Sequence, residues 1–177
     1  MAAISWVFVR FAVMNDFPSR AAAMLRGTVA ALLLLVSFSI EARAQLSSFQ
    51  YTTSNGQVTI TGYSGPVPQA LVIPATINGL PVTAIGDTAF ENNTTMKSLT
   101  LPDSVTSIGA NSFYQCVSLR TVSMGNGGTS IGFGAFTNDS AVTSMPISTH
   151  LVSIDTFGFY NMSGLKTLTL PDTLTTL

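Results

Sequence analysis

The stretch Ser98–Phe113, S-L-T-L-P-D-S-V-T-S-I-G-A-N-S-F, decides the fold. Shift the chain by 23 residues and its apolar positions superimpose. Ile85, Ile108, Ile131 and Ile154 make one column, and Phe90, Phe113, Phe136 and Phe159 a second. Leu99, Val122, Met145 and Leu168 make a third; Leu101, Met124, Ile147 and Leu170 a fourth; Met96, Leu119, Val142 and Leu165 a fifth. A fixed period of roughly 20–50 residues is the mark of a solenoid, in which each coil buries its apolar face only against its neighbours.

Within one unit, Leu99 and Leu101 fall on one face of a strand and Ser98 and Thr100 on the other, because successive side chains alternate. Pro102 cannot donate to a ladder and ends the strand. Val105 and Ile108 are a second apolar pair, expected on a shorter strand at the opposite side of the coil. Gly109 lets the chain turn, and Phe113 packs inward. Parallel stacking would set equivalent residues about 4.8 Å apart.

The pattern from Leu99 to Leu119, L-T-L-P-D-S-V-T-S-I-G-A-N-S-F-Y-Q-C-V-S-L, resembles the BspA-like, or Treponema pallidum-type, leucine-rich repeats. The hallmark I-G-x-x-[AS]-F recurs as Ile85-Gly86…Ala89-Phe90, Ile108-Gly109…Ser112-Phe113 and Ile131-Gly132…Ala135-Phe136. The resemblance spans about Leu71–Leu177. It implies a strand-dominated leucine-rich repeat solenoid of about four 23-residue repeats with short turns or helical turns. It also implies a secreted or surface-displayed binding module of adhesion type. There are departures. Gly125-Asn126-Gly127-Gly128 stands where Pro102-Asp103-Ser104-Val105 does, Asp155 occupies the glycine column, and Asn93, Asp139 and Met162 replace the usual Cys. These are expected to weaken packing locally without disturbing the register.

Outside the repeats, Phe49-Gln50-Tyr51 and Val58-Thr59-Ile60 alternate around Asn55-Gly56, a strong hairpin signal. This hairpin reads as out of the 23-residue register and as an N-terminal cap, since a solenoid must cover its raw end. Residues 45–69 are assigned to cap and linker, and 70–177 to repeats. The first repeat carries five extra residues near Asn78-Gly79-Leu80-Pro81, read as a loop insertion. Residues 24–44 read as a signal peptide: Arg26, an apolar run Thr28–Ile40 and a small-x-small site at Ala42-Arg43-Ala44. That run is shorter than the roughly 20 residues a membrane span needs. Residues 1–23 read as an upstream extension from a misassigned start, with Met24 the expected initiator. Leu177 falls in the Ile154 phase, halfway through a repeat, so the chain is expected to continue past an exposed apolar edge.

Composition narrows the function classes. The 177-residue chain has a net charge of −1 and 8% charged residues, well below the roughly 25% usual for soluble domains. Beyond residue 44 it holds three basic and six acidic residues, a net charge of −3 with His150 neutral. No basic excess suggests nucleic acid. One Cys, Cys116, excludes an intrachain disulfide and reads as a packed structural position. Scattered acids and one His offer no catalytic constellation and no convergent metal ligands, so neither enzyme activity nor a cofactor or metal is expected. The Gly125–Gly128 run lacks the Lys-Ser/Thr of a phosphate loop. Asn92, Asn93, Asn138 and Asn161 open formal glycosylation sequons but recur with the repeat turn, and are read as turn residues.

One pattern points to binding. The basic residues Lys97, Arg120 and Lys166 share a phase, with Thr143 completing the column, beside the hydroxyl-rich columns Ser98, Thr121, Ser144, Thr167 and Thr100, Ser123, Pro146, Thr169. Stacking would make them a basic stripe along a neutral hydroxyl face, able to receive an acidic protein segment or an anionic glycan. The opposing reading is a solvated rim whose lysines discourage edge pairing. The expected partner is an extracellular protein or glycan. The alternative is a repeat spacer or fragment of a larger surface protein, carrying any catalytic domain beyond residue 177.

Overall fold

The computed structural model describes residues 46–128 and 130–177, and the segments read as upstream extension and signal peptide lie outside them. The described chain is a strand-dominated solenoid. Its strands are β1 (Phe49–Ser54), β2 (Gln57–Tyr63), β3 (Ala70–Val72), β4 (Thr76–Ile77), β5 (Leu80–Ile85), β6 (Ser98–Thr100), β7 (Ser107–Ile108), β8 (Thr121–Ser123), β9 (Ser130–Ile131) and β10 (Ser153–Ile154). They form two sheets. One runs β1-β2-β5-β7-β9-β10, with β4 on β5, and the other runs β3-β6-β8.

The 23-residue period becomes the pairing register. Ile85 pairs Ile108, Ile108 pairs Ile131, and Ile131 pairs Ile154, all in parallel. On the other sheet, Leu71 pairs Leu99 and Leu99 pairs Val122. Between the sheets the phenylalanine column is a ring stack. Phe90 and Phe113 lie 5.4 Å apart at 4°, Phe113 and Phe136 5.1 Å at 9°, and Phe136 and Phe159 6.0 Å at 32°. The apolar columns are buried through Val142, Met145 and Ile154, except that Met124 and Ile147 of the Leu101 column are half-buried. In the last coil Leu165 and Leu168 are half-buried and Leu170 is exposed.

Each coil also needs two left-handed residues. Thr88, Asn111, Gly134 and Phe157 form one such column, and Asn92, Gln115, Asn138 and Asn161 another. The sequon asparagines Asn92, Asn138 and Asn161 thus occupy turn positions that asparagine tolerates well. At Gly109 the constraint is proximity: a Cβ there would lie 2.7 Å from the Asp87 nitrogen.

Three local readings are refined. Asn78-Gly79 is the turn of a second hairpin, with Ile77 paired to Leu80, where a loop insertion was expected. The turn of the capping hairpin is in register but its strand is not. Asn55-Gly56 lies 23 residues before Asn78-Gly79 and all four have positive φ, whereas β2 pairs β5 in parallel across a bulge, Val58 with Val82 and Ile60 with Ile85. Two of the three replacements of the usual Cys, Asn93 and Asp139, accept hydrogen bonds from backbone N–H groups. Asn93 Oδ1 accepts from the N–H of Thr95 (3.1 Å) and Met96 (2.7 Å). Asp139 Oδ1 accepts from the Cys116 N–H at 2.7 Å.

Candidate binding surface

The strand β6 buries Leu99 and leaves Thr100 exposed, with Ser98 half-buried; β8 buries Val122 and leaves Thr121 and Ser123 exposed. Parallel pairing sets Ser98 beside Thr121 and Thr100 beside Ser123, and a bridge sets Thr121 beside Ser144. The exposed cations follow the same ladder. The Arg120 N–H donates to the Lys97 carbonyl at 2.8 Å, and the Thr143 N–H to the Arg120 carbonyl at 2.9 Å. Seven of the ten expected positions are therefore contiguous: Lys97, Ser98, Thr100, Arg120, Thr121, Ser123 and Ser144.

The other three, Lys166, Thr167 and Thr169, are exposed but stand across a groove of about 440 Å³ whose walls include Ser144, Pro146, Thr167 and Thr169. Pro146 occupies the Thr100/Ser123 column and has no N–H to give the ladder. Lys166 Nζ donates to its own turn, to the Ser163 carbonyl at 3.5 Å. The period alone extended the face into the last coil, where the groove interrupts it.

The groups considered for chemistry are placed differently. Cys116 is fully buried, its Sγ donating to the Phe90 carbonyl at 3.3 Å. Burial, and secondarily the Asp139 charge, pushes its thiol well above the usual range, against an opposing hydrogen bond with the Asn93 backbone. A thiol so held is a poor nucleophile. Burial likewise pushes Asp139 up to about 8, partly offset by the Cys116 N–H. Asp139 Oδ2 has no hydrogen-bond partner. His150 is an exposed turn residue whose N–H donates to Ser148 Oγ at 3.1 Å. Among the described residues no three His, Cys, Asp or Glu side chains converge as metal ligands.

One cluster has no counterpart in the sequence expectations. Phe133, Phe157 and Tyr160 are 44%, 52% and 58% exposed, large values for aromatics. Phe133 meets Phe157 edge-on at 5.7 Å, and Phe157 meets Tyr160 edge-on at 5.3 Å. With Tyr114 they line a cleft of about 360 Å³ on the turn side of the coils. The available signal was Phe157 itself, a bulky residue in the Thr88/Asn111/Gly134 column.

A ladder of 23-residue parallel coils around an aromatic spine defines a leucine-rich repeat solenoid, a fold that typically serves as a non-catalytic scaffold. The family model described as BspA type leucine rich repeat region matches residues 72–177 in six copies, and the chain belongs to that family. Among solved structures it is similar to the leucine rich repeat protein of T. pallidum: 27% identity, TM-score 0.72, 74% of this chain and 62% of that one. A Bacteroides ovatus leucine-rich repeat protein shares 25% identity at TM-score 0.65, covering 73% of this chain and 36% of that one. A leucine rich cell surface protein of Faecalibacterium prausnitzii shares 29% identity at TM-score 0.54, covering 72% and 42%. The chain thus spans less than two thirds of the length of each of these three. No curated protein matches it. Among the described residues no helix is long and apolar enough to cross a membrane.

Proposed function

We propose that the protein is a secreted or cell-surface binding module that engages an extracellular protein or glycan through the β3-β6-β8 face, without catalytic activity, cofactor or nucleic-acid partner. The observation that supports this is the in-register hydroxyl surface of Ser98, Thr100, Thr121, Ser123 and Ser144, bordered by exposed Lys97 and Arg120. Hydroxyls donate and accept without imposing charge, and the two cations favour an acidic occupant. The likeness to a cell surface protein of F. prausnitzii is consistent with display outside the cell.

The test is binding of poly-L-glutamate and of a heparin oligosaccharide to the full chain. Binding that falls with added salt, and falls at least tenfold in Lys97→Glu/Arg120→Glu, is expected. Unchanged binding in that variant removes the stripe as the site. A repeat spacer within a larger surface protein is the second reading, favoured by the 36% coverage of the B. ovatus relative; a spacer would bind neither probe.

A further inference from the structure

We propose that the cleft lined by Tyr114, Phe133, Phe157 and Tyr160 is a binding site for a neutral saccharide, separate from the strand face. Three observations carry this inference.

The first is the chemistry of the lining. Aromatic rings alternate with the side-chain amides of Asn111 and Asn138, and no lining side chain is an acid or a base. A sugar ring presents C–H groups on its faces and hydroxyls around its rim. Exposed rings take the face and amides take the rim, the mix of apolar walls and few polar groups that marks small-molecule sites. A charged ligand finds no counter-charge here. An apolar ligand without hydroxyls or amides would cover the asparagine amides and tyrosine hydroxyls without giving them partners, which costs affinity.

The second is the placement of the amides. Gly134 is left-handed, and a Cβ on it would collide with Asn111 Oδ1; glycine therefore admits the Asn111 amide between coils. Asn161 Nδ2 donates to Asn138 Oδ1 at 2.8 Å, which orients the second amide.

The third is the backbone at Phe157, with φ 62°. A bulky side chain is disfavoured there, and such residues persist where the surroundings hold them and tend to collect at binding sites. Here the surroundings do hold it. Thr137 Oγ1 donates to the Phe157 carbonyl, and the N–H groups of Gly134, Phe136 and Asn138 donate to the carbonyls of Thr156, Gly158 and Tyr160. The fold would be served at least as well by asparagine, which occupies the same column at Asn111. A bulky ring stands at a disfavoured backbone position, its own carbonyl held by Thr137 Oγ1 and the Tyr160 N–H, its face packed edge-on against Phe133 and Tyr160, and half exposed. Fixing the ring before a ligand arrives lowers the entropy lost on binding.

The test is calorimetric titration of the full chain with the neutral hexasaccharides cellohexaose, xylohexaose, mannohexaose and chitohexaose. At least one is expected to bind, with saturation transfer to its ring C–H protons in NMR. Phe157→Asn is expected to lose that binding at least tenfold while melting at the same or a higher temperature, and Tyr160→Ser to weaken it likewise. Binding by none of the four sugars overturns the inference. So does a Phe157→Asn protein that binds undiminished, or one that melts lower than the parent, which would make the ring structural. Lys97→Glu/Arg120→Glu should bind the sugar as the parent does. If it does not, the sugar sits on the strand face, and the cleft reading fails while the strand-face reading stands.

Discussion

Asp139 occupies a position where an uncharged side chain would suffice. Its Oδ1 bridges to the neighbouring coil through the Cys116 N–H, but Oδ2 is buried without a partner. Burial raises its pKa from 3.8 to about 8 in the folded protein. The folded state therefore holds this proton more tightly than the unfolded chain does. The stability it contributes is complete below about pH 3.8, declines as pH rises, and is lost above about pH 8. Asp139→Asn keeps the Oδ1 acceptor and cannot ionise. The variant should match the parent near pH 4 and melt higher by about 5 °C or more at pH 8. Thermal denaturation across that range checks this, and parallel pH profiles would contradict it. The residue scale also shows where sequence reading stops. Asp139 was legible as a departure from the usual Cys, but its burial and its one bridging oxygen depend on the coil 23 residues back.

At the scale of the element, the period carried most of the information. Ile85, Ile108, Ile131 and Ile154 were legible as one column because parallel pairing turns a constant spacing into a constant register. The Phe90–Phe159 column was legible for the same reason, and Asn55-Gly56 announced its hairpin through the conformation such a turn requires. The second hairpin was hidden because Thr76-Ile77 is too short to show alternation. The open groove and the aromatic cleft lie where the repeat departs from its own pattern. A repeat is found by what recurs, whereas Pro146, Phe133 and Phe157 each differ from the other residues of their columns. Within the spine, Phe113 is fully buried between the rings of Phe90 and Phe136. Phe113→Ala should cost about 3–5 kcal/mol, measured by denaturant titration. A cost under about 1 kcal/mol would mean that the coils relax around the missing ring and that the spine does not hold them together.

Across the whole molecule, burial is uneven along the solenoid axis. Phe90, Phe113 and Phe136 are buried, while Phe159, Leu165 and Leu168 are half-buried and Leu170 is exposed. In a quasi-one-dimensional array each coil's stability comes from itself and its neighbours. Amide hydrogen exchange should therefore show strongest protection from β5 to β9 and progressively faster exchange beyond residue 160, where opening needs less surface to be exposed. Uniform protection along the chain would show that the repeats unfold as one unit.

The groove that follows Ser144 and Pro146 has a mechanical consequence. Beyond it the two sides of the solenoid are fastened differently. On one side the backbone is still tied, the Thr175 N–H to the Val152 carbonyl at 2.8 Å and the Ile154 N–H to the Thr176 carbonyl at 3.1 Å. On the other side the walls of the groove stand apart. The turn side is tied as well, through the Asn138 N–H to the Tyr160 carbonyl and Asn161 Nδ2 to Asn138 Oδ1. The segment carrying Lys166, Thr167 and Thr169 is thus fastened before and after the groove and spans it like a plank resting on two supports.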